Sequence, residues 1–309
     1  MRAGYSSYGF LWCLALFCFW WVGCKQKSKA EPTDRYNKGV IHISCDESFK
    51  PVIDAQVEVY QASFPDTRII VHYKPEADCL RDFLVDSIRM VIATRGFSEA
   101  ERALMIDSLK IGPEKLTVAY DAIAVVVHPK ARDSFFTMND IRDLISGKFN
   151  KNLIPVFDGL KATSTVRFMI DSVLHGGNLG PNVVAAQSSE GLIDYVSKTP
   201  EAVGFIGVSW VGNKEDTTQQ SFLKKVRIAR IESTDSANAF VQPVQYLIYT
   251  KSYPMVRDLV YVLKEHHAGL GKGFANFLKS ERGQLIFRRA YLYPALRPFY
   301  VRRAELKEE

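Results

Sequence analysis

Short β-rich runs and stretches of helical spacing alternate along the chain. Residues 40–44 (VIHIS) form such a run, and apolar positions recur at helical intervals over 49–63. Pro65-Asp66 turns the chain into a second run at 68–73, and a helix over 79–85 leads to a third at 90–93. Strand–helix–strand–helix–strand order predicts a parallel sheet with right-handed crossovers. Residues 116–128 are β-rich and too long for one ordinary strand, which suits a segment leaving one lobe and entering another. In the next series Thr137 is placed to cap a helix, with Asp140 at its third position and Gly147 after its end. Strands at 153–157, 183–186, 203–208 and 225–231 accompany helices at 164–174 and 190–197. Residues 241–250 are again long and β-rich, and 255–266, 273–280 and 282–290 read as amphipathic helices.

Two long β segments bracketing a middle block predict an α/β, bilobal architecture. Two mixed sheets flanked by helices are joined by two hinge strands, with 39–122 and 245–309 as lobe 1 and 123–244 as lobe 2. Closure about such a hinge would bury a ligand between the lobes.

Composition narrows the classes. The 309 residues are 24% charged and 47% hydrophobic, which excludes a disordered chain and a multi-span membrane protein. Lys+Arg 40 against Asp+Glu 34 gives +6 with no basic run of five, so nucleic acid is not implied. No CxxC, HExxH, GxGxxG or GxxxxGKS occurs, and neither a metal nor a cofactor is expected. Between Arg2 and Lys25 lies an unbroken apolar run, 10–22, followed by Gly23-Cys24. Residues 1–23 read as a secretory signal, too short for a standard membrane span; an uncleaved anchor helix is the alternative. Trp21-Val22-Gly23-Cys24 resembles a bacterial lipobox, which would make Cys24 the lipidated first residue and 24–38 a polar tether. Cys45 and Cys79 then remain in an oxidising setting, either as a disulfide between strand ends or as two independent buried thiols.

Candidate chemistry sits where strands run into helices. Ser44 to Phe49, Glu76 to Asp78, Ala162 to Arg167 and Gln187 to Gly191 carry hydroxylic or acidic residues at such junctions. A helix N-terminus offers unpaired N–H groups and partial positive charge, and Ser and Thr add donors. Each alone is an ordinary N-cap. Four converging in a hinged fold make a dehydrated anion site.

Several segments resemble phosphate ABC-transporter substrate-binding proteins of the PstS-like kind. They are Ser164-Thr165 after a strand, 121–129 (DAIAVVVHP), 202–207 (AVGFIG), 269–277 (GLGKGFANF) and 280–284 (SERGQ). Residues 46–51 (DESFKP), Ala93-Thr94-Arg95 with Glu99 and Glu101 beyond, and Val156-Phe157-Asp158 resemble a lipoprotein branch found in Bacteroidota. The resemblance spans about 40 to 300 and implies a type II periplasmic-binding-protein fold that captures a tetrahedral oxyanion. Residue by residue, it implies that Ser48 and Phe49 donate from the first loop, and that Ser164 and Thr165 donate from the second-lobe helix. Asp78 or its neighbour falls where the family has a phosphate-contacting Ser, and Thr94 where the family has a proton-accepting Asp. Ser189 belongs to the fourth junction. The family's Arg before the Ser-Gly-Thr motif lands near Gly159; Arg95 or Arg167 could supply the missing charge, or either could be a surface residue, the default for Arg167 inside a helix.

The expected partners are inorganic phosphate or a similar oxyanion, an ABC-transporter permease and, through the lipid, a membrane. The protein is expected to be an exported monomer, in the periplasm or on the cell surface. Two other classes fit the same residues: a surface lipoprotein with an altered ligand or a protein-interaction role, and a serine hydrolase using Ser164 with His128 or His72. The hydrolase lacks a GxSxG context, so no catalytic residue is assigned. His266-His267 reads as compensation of a helix C-terminus, and Tyr291, Tyr293, Phe299 and Tyr300 as packing for the last helices.

Overall fold

A computed structural model describes residues 33–109, 112–159, 163–213, 215–265 and 267–296. The signal (1–23), Cys24 and most of the tether lie outside the described residues, as do Ala162, His266, Phe299 and Tyr300.

β1 (Gly39–Asp46) leads through a 3₁₀ turn, Glu47–Phe49, into α1 (Lys50–Ser63), then β2 (Thr67–Lys74), α2 (Glu76–Asp82), β3 (Ile88–Ala93) and α3 (Glu99–Leu109). β1 pairs in parallel with β2 along its whole length and with β3 on its other side. The long strand β4 (Glu114–Val127) follows, then β5 (Phe135–Phe136), α4 (Met138–Ser146), β6 (Ile154–Phe157) and α5 (Ser164–Phe168), which continues as a π-turn over Met169–Val173. β7 (Val184–Ala185), α6 (Ser189–Lys198), β8 (Ala202–Gly207), α7 (Thr217–Lys225), β9 (Arg227–Ile228) and β10 (Arg230–Glu232) come next. The chain ends with β11 (Phe240–Val241), α8 (Gln245–Tyr249), β12 (Val256–Leu263), α9 (Leu270–Lys279), α10 (Glu281–Arg289) and β13 (Tyr293–Pro294).

The strand order is β2-β1-β3-β12-β4-β8-β6-β7, with β9 and β13 also on β4. β4 is the crossing element: its residues up to Ala122 pair antiparallel with β12, and Ile123–Val127 pair with β8. Its inner residues face two cores in alternation, Val125 and Val127 in one and Ala124 and Val126 in the other. That alternation is the period-two pattern of a strand buried on both faces. A third core, with Leu80, Phe83 and Met105, lies under α2 and α3. Thr137 and Asp140 close a full capping box on α4, and Gly147 ends it in the left-handed region at φ 79°.

Several expectations need correction. The helix expected over 255–266 is a strand at 256–263: β12 lies between β3 and β4, both antiparallel to it. A central strand apolar on both faces cannot be told from a buried helix by periodicity, and Val256, Val260, Tyr261 and Val262 favour the strand. The second hinge segment, 241–250, is a short strand followed by α8, because Pro243 has no N–H for a ladder. His267 therefore stands before the N-terminus of α9, not after a helix, with Nε2 3.2 Å from Asp34 Oδ1. The strand expected at 225–231 breaks at Ala229, and α3 was not expected at all. Cys45 and Cys79 are free and buried. Cys45 joins the core shared by Ile41 and Ile43, Cys79 the core under α2, so the sheet separates them. Among the described residues no helix is long and apolar enough to cross a membrane.

Candidate functional site

At three junctions capping and donating are divided between neighbours. Asp46 caps the 3₁₀ turn, its Oδ1 accepting from Ser48 N at 3.0 Å. Thr163 caps α5 through Val166 N, and Ser188 caps α6 through Gly191 N. The next hydroxyls, Ser48, Ser164, Thr165 and Ser189, are thereby free of cap duty, and all are buried.

Ser48, Ser164 and Thr165 gather around Arg257. Ser48 Oγ and Ser164 Oγ are 3.3 Å apart. Arg257 Nη1 donates to Ser164 Oγ at 2.9 Å and to Thr165 Oγ1 at 3.3 Å, and Nε donates to Asp121 Oδ2 at 2.8 Å. Arg257 on β12 and Asp121 on β4 are direct register partners, and both are buried. The Phe49 ring, fully buried, lies 5.2 Å from the guanidinium carbon.

Around this cation stand two carboxyl groups. Ser189 Oγ donates to Asp158 Oδ2 at 3.4 Å. Burial pushes the Asp158 carboxyl up to about 7, with the Asp46 charge adding to it. Burial likewise pushes Asp46 up to about 6, against the pull of Arg257. Four buried polar atoms here have no hydrogen-bond partner among the described residues: Arg257 Nη2, Asp46 Oδ2, Asp121 Oδ1 and Asp158 Oδ1. Leaving such groups unpaired costs about 1–3 kcal/mol each, more for charged ones. A donor and three acceptors left open together are the mark of a place built for a polar guest.

Beside it lies a second cluster. Glu76, at the start of α2, accepts from Thr94 N at 2.9 Å and Thr94 Oγ1 at 2.5 Å. Arg167 on α5 donates from Nε to Glu76 Oε2 at 2.6 Å and from Nη2 to Thr94 Oγ1 at 2.6 Å. Burial favours the protonated acid, but the donors of Arg167 and Thr94 outweigh it and hold the Glu76 carboxyl below its usual range. Arg167 is no idle surface residue.

The other two named positions stand apart from the Arg257 cluster. Asp78 pairs with Arg81 one turn along α2. Arg95 is bound to Glu101 at 3.1 Å and is partly exposed. The histidines proposed as bases are engaged elsewhere: His72 Nε2 is 2.9 Å from His42 Nδ1, and His128 Nδ1 accepts from Lys130 N. Sequence inspection overlooked Arg257, hidden in a supposed helix, and its partner Asp121. A lone charge marks the first run, at Asp121, but in the second Arg257 stands next to Asp258, so no local signal singles it out.

Asp34, Glu265 and His267 lie close enough to share a cation. Their carboxylate oxygens, however, accept the first N–H groups of α9, from Leu270, Gly271 and Lys272, and Arg89 stands within 4 Å. They serve as an anchor for that helix.

A family model described as a PBP superfamily domain matches residues 28–282. A Clostridium perfringens protein described as a phosphate ABC-transporter substrate-binding protein, solved with bound phosphate, superimposes with a TM-score of 0.68. It is 22% identical, over 83% of this chain and 100% of the other. An ABC-type phosphate transport receptor from Vibrio cholerae gives 0.61 at 18% identity, over 82% and 99%. PstS from Borrelia burgdorferi gives 0.51 at 14%, over 83% and 99%. No curated protein sequence matches the chain.

Proposed function

The chain belongs to the PBP superfamily and has the type II periplasmic-binding-protein fold, and on that premise we propose that it captures inorganic phosphate or a related tetrahedral oxyanion. The ligand would sit against Arg257 and the hydroxyls of Ser48, Ser164 and Thr165, and would be passed to an ABC transporter. The protein would act as an exported lipoprotein anchored through Cys24, with residues 39–122 and 245–309 closing on 123–244.

One observation carries this reading: the buried Arg257 Nη2, without a partner among the described residues, beside the hydroxyls of Ser164 and Thr165, with that of Ser48 next to Ser164. Arg257 is already matched by Asp121. A fully ionised guest would therefore meet uncompensated carboxylates at Asp46 and Asp158. A guest that carries its own O–H groups avoids this, because it donates to Asp46 Oδ2 and Asp158 Oδ1 while accepting from Arg257. Phosphate carries such protons near neutral pH, and sulfate does not.

Thermal unfolding of residues 25–309, stripped of co-purified ligand, tests it. Phosphate at 100 times its Kd stabilises by about 2.7 kcal/mol, seen as a rise of a few degrees in Tm. Sulfate leaves Tm unchanged, and Ser164→Ala abolishes the phosphate response. No shift with phosphate, sulfate or pyrophosphate would sink the oxyanion assignment.

A further inference from the structure

We propose that Glu76 is an internal counter-anion: it occupies donors that an anionic ligand would otherwise draw on, and by binding Arg167 it holds the cleft closed with no ligand present. The proposal rests on the binding reading above in one respect, that the elements before and after the β4 crossing close around a guest.

The geometry supplies the reasons. The Glu76 carboxylate receives a backbone N–H, a hydroxyl and a guanidinium N–H, all at 2.9 Å or less, the donor set that holds an oxyanion in a dry pocket. Its side chain is 2% exposed, while that of Arg167 is 33% exposed, so the acid is sunk in the fold and the cation reaches in from the rim. The two belong to opposite sides. Glu76 and Thr94 come from α2 and the end of β3, in the part of the sheet built on β1. Arg167 comes from α5, which follows β6 on the other side of the crossing. Arg167 Nη2 also reaches Thr94 Oγ1, so two donors of one planar guanidinium span the gap. A planar fork loses less freedom per bond than a lysine would.

A binding protein that closes only around its ligand leaves such donors open when empty. Here they are filled by the chain itself, and closure no longer waits for the guest. The open donor and acceptors of the neighbouring cluster belong to Arg257, Asp46, Asp121 and Asp158, so the guest is left with that half of the site.

Small-angle X-ray scattering of the stripped 25–309 protein, wild type and Glu76→Gln, with and without phosphate, is the test. The wild type is expected to have the same radius of gyration in both conditions. Glu76→Gln is expected to be expanded when empty, because the amide carries no charge and has one accepting oxygen where Glu76 uses two, one for Thr94 and one for Arg167. Circular dichroism checks that it is folded, and Arg167→Ala replaces it should it fail. An empty wild type that is expanded and compacts with phosphate overturns the proposal without needing any variant. A folded variant as compact as wild type when empty also overturns it. A compact wild type and an expanded variant, neither responding to phosphate or sulfate, uphold the latch and overturn the oxyanion reading instead.

Discussion

Arg257 and Asp121 illustrate how much a single residue can decide in this fold. Side by side in adjacent strands and nearly free of solvent, they form a pair whose members depend on each other. Removing one leaves the other as an uncompensated buried charge, so Arg257→Met is expected to cost about 3–5 kcal/mol in urea unfolding. Replacing both, with Asp121→Leu added, should recover most of that loss; an additive double variant would show the pair is not coupled. Asp46 and Asp158 act in the opposite sense. Each binds its proton more tightly in the fold than in the open chain, about 6 and about 7 against the usual range near 4. The stability these two groups contribute is therefore fully present below about 4 and is lost as pH rises through about 6 to 7, opposite in sense to Glu76, whose carboxyl is held down. Asp158→Asn should flatten that decline, measured as Tm from pH 4 to 8, and raise Tm at pH 8. These residues were only partly legible. Ser48, Ser164 and Thr165 were visible because short hydroxylic residues at strand ends have a local signature. Arg257 was not, since nothing local marks a charge whose partner lies on a strand 136 residues away.

Helix α4 shows what local sequence determines completely. Thr137 Oγ1 accepts from Asp140 N at 3.0 Å and Asp140 Oδ2 accepts from Thr137 N at 2.8 Å. Both bonds lie within one turn, so they need no distant contact to form. Thr137→Ala is expected to cost about 1 kcal/mol, a fall in Tm of about 2–4 °C for a chain of this size. A loss near zero would mean that tertiary packing alone holds this helix start. β12 is the contrary case. Its period fits a helix because Leu259 to Leu263 are all buried, and only the neighbours β3 and β4 on either side make it a strand. The missed α3 has its own reason: Glu99, Glu101 and Arg102 crowd its first turns, so its apolar face is weak.

Over the whole molecule, binding and closure are properties no element has alone. A ligand that binds only the fold stabilises all of it together, which is why unfolding reports on a site of a few atoms. The latch at Glu76 is likewise felt as the dimension of the particle. From its sequence alone the chain determined the alternation of strands and helices, the crossing strand β4, the capped α4 and the hydroxyls at the helix starts. All of these rest on interactions a few residues long or on a burial pattern written in the residues themselves. Tertiary structure alone decided that β12 is a central strand, that Cys45 and Cys79 lie on opposite faces of the sheet, and that Arg257 stands against Asp121. It also decided that Glu76 is answered by Arg167, 91 positions away. The physical reason is the same in each case: buried charges and central strands take their meaning from partners that only the folded sheet brings within hydrogen-bond reach.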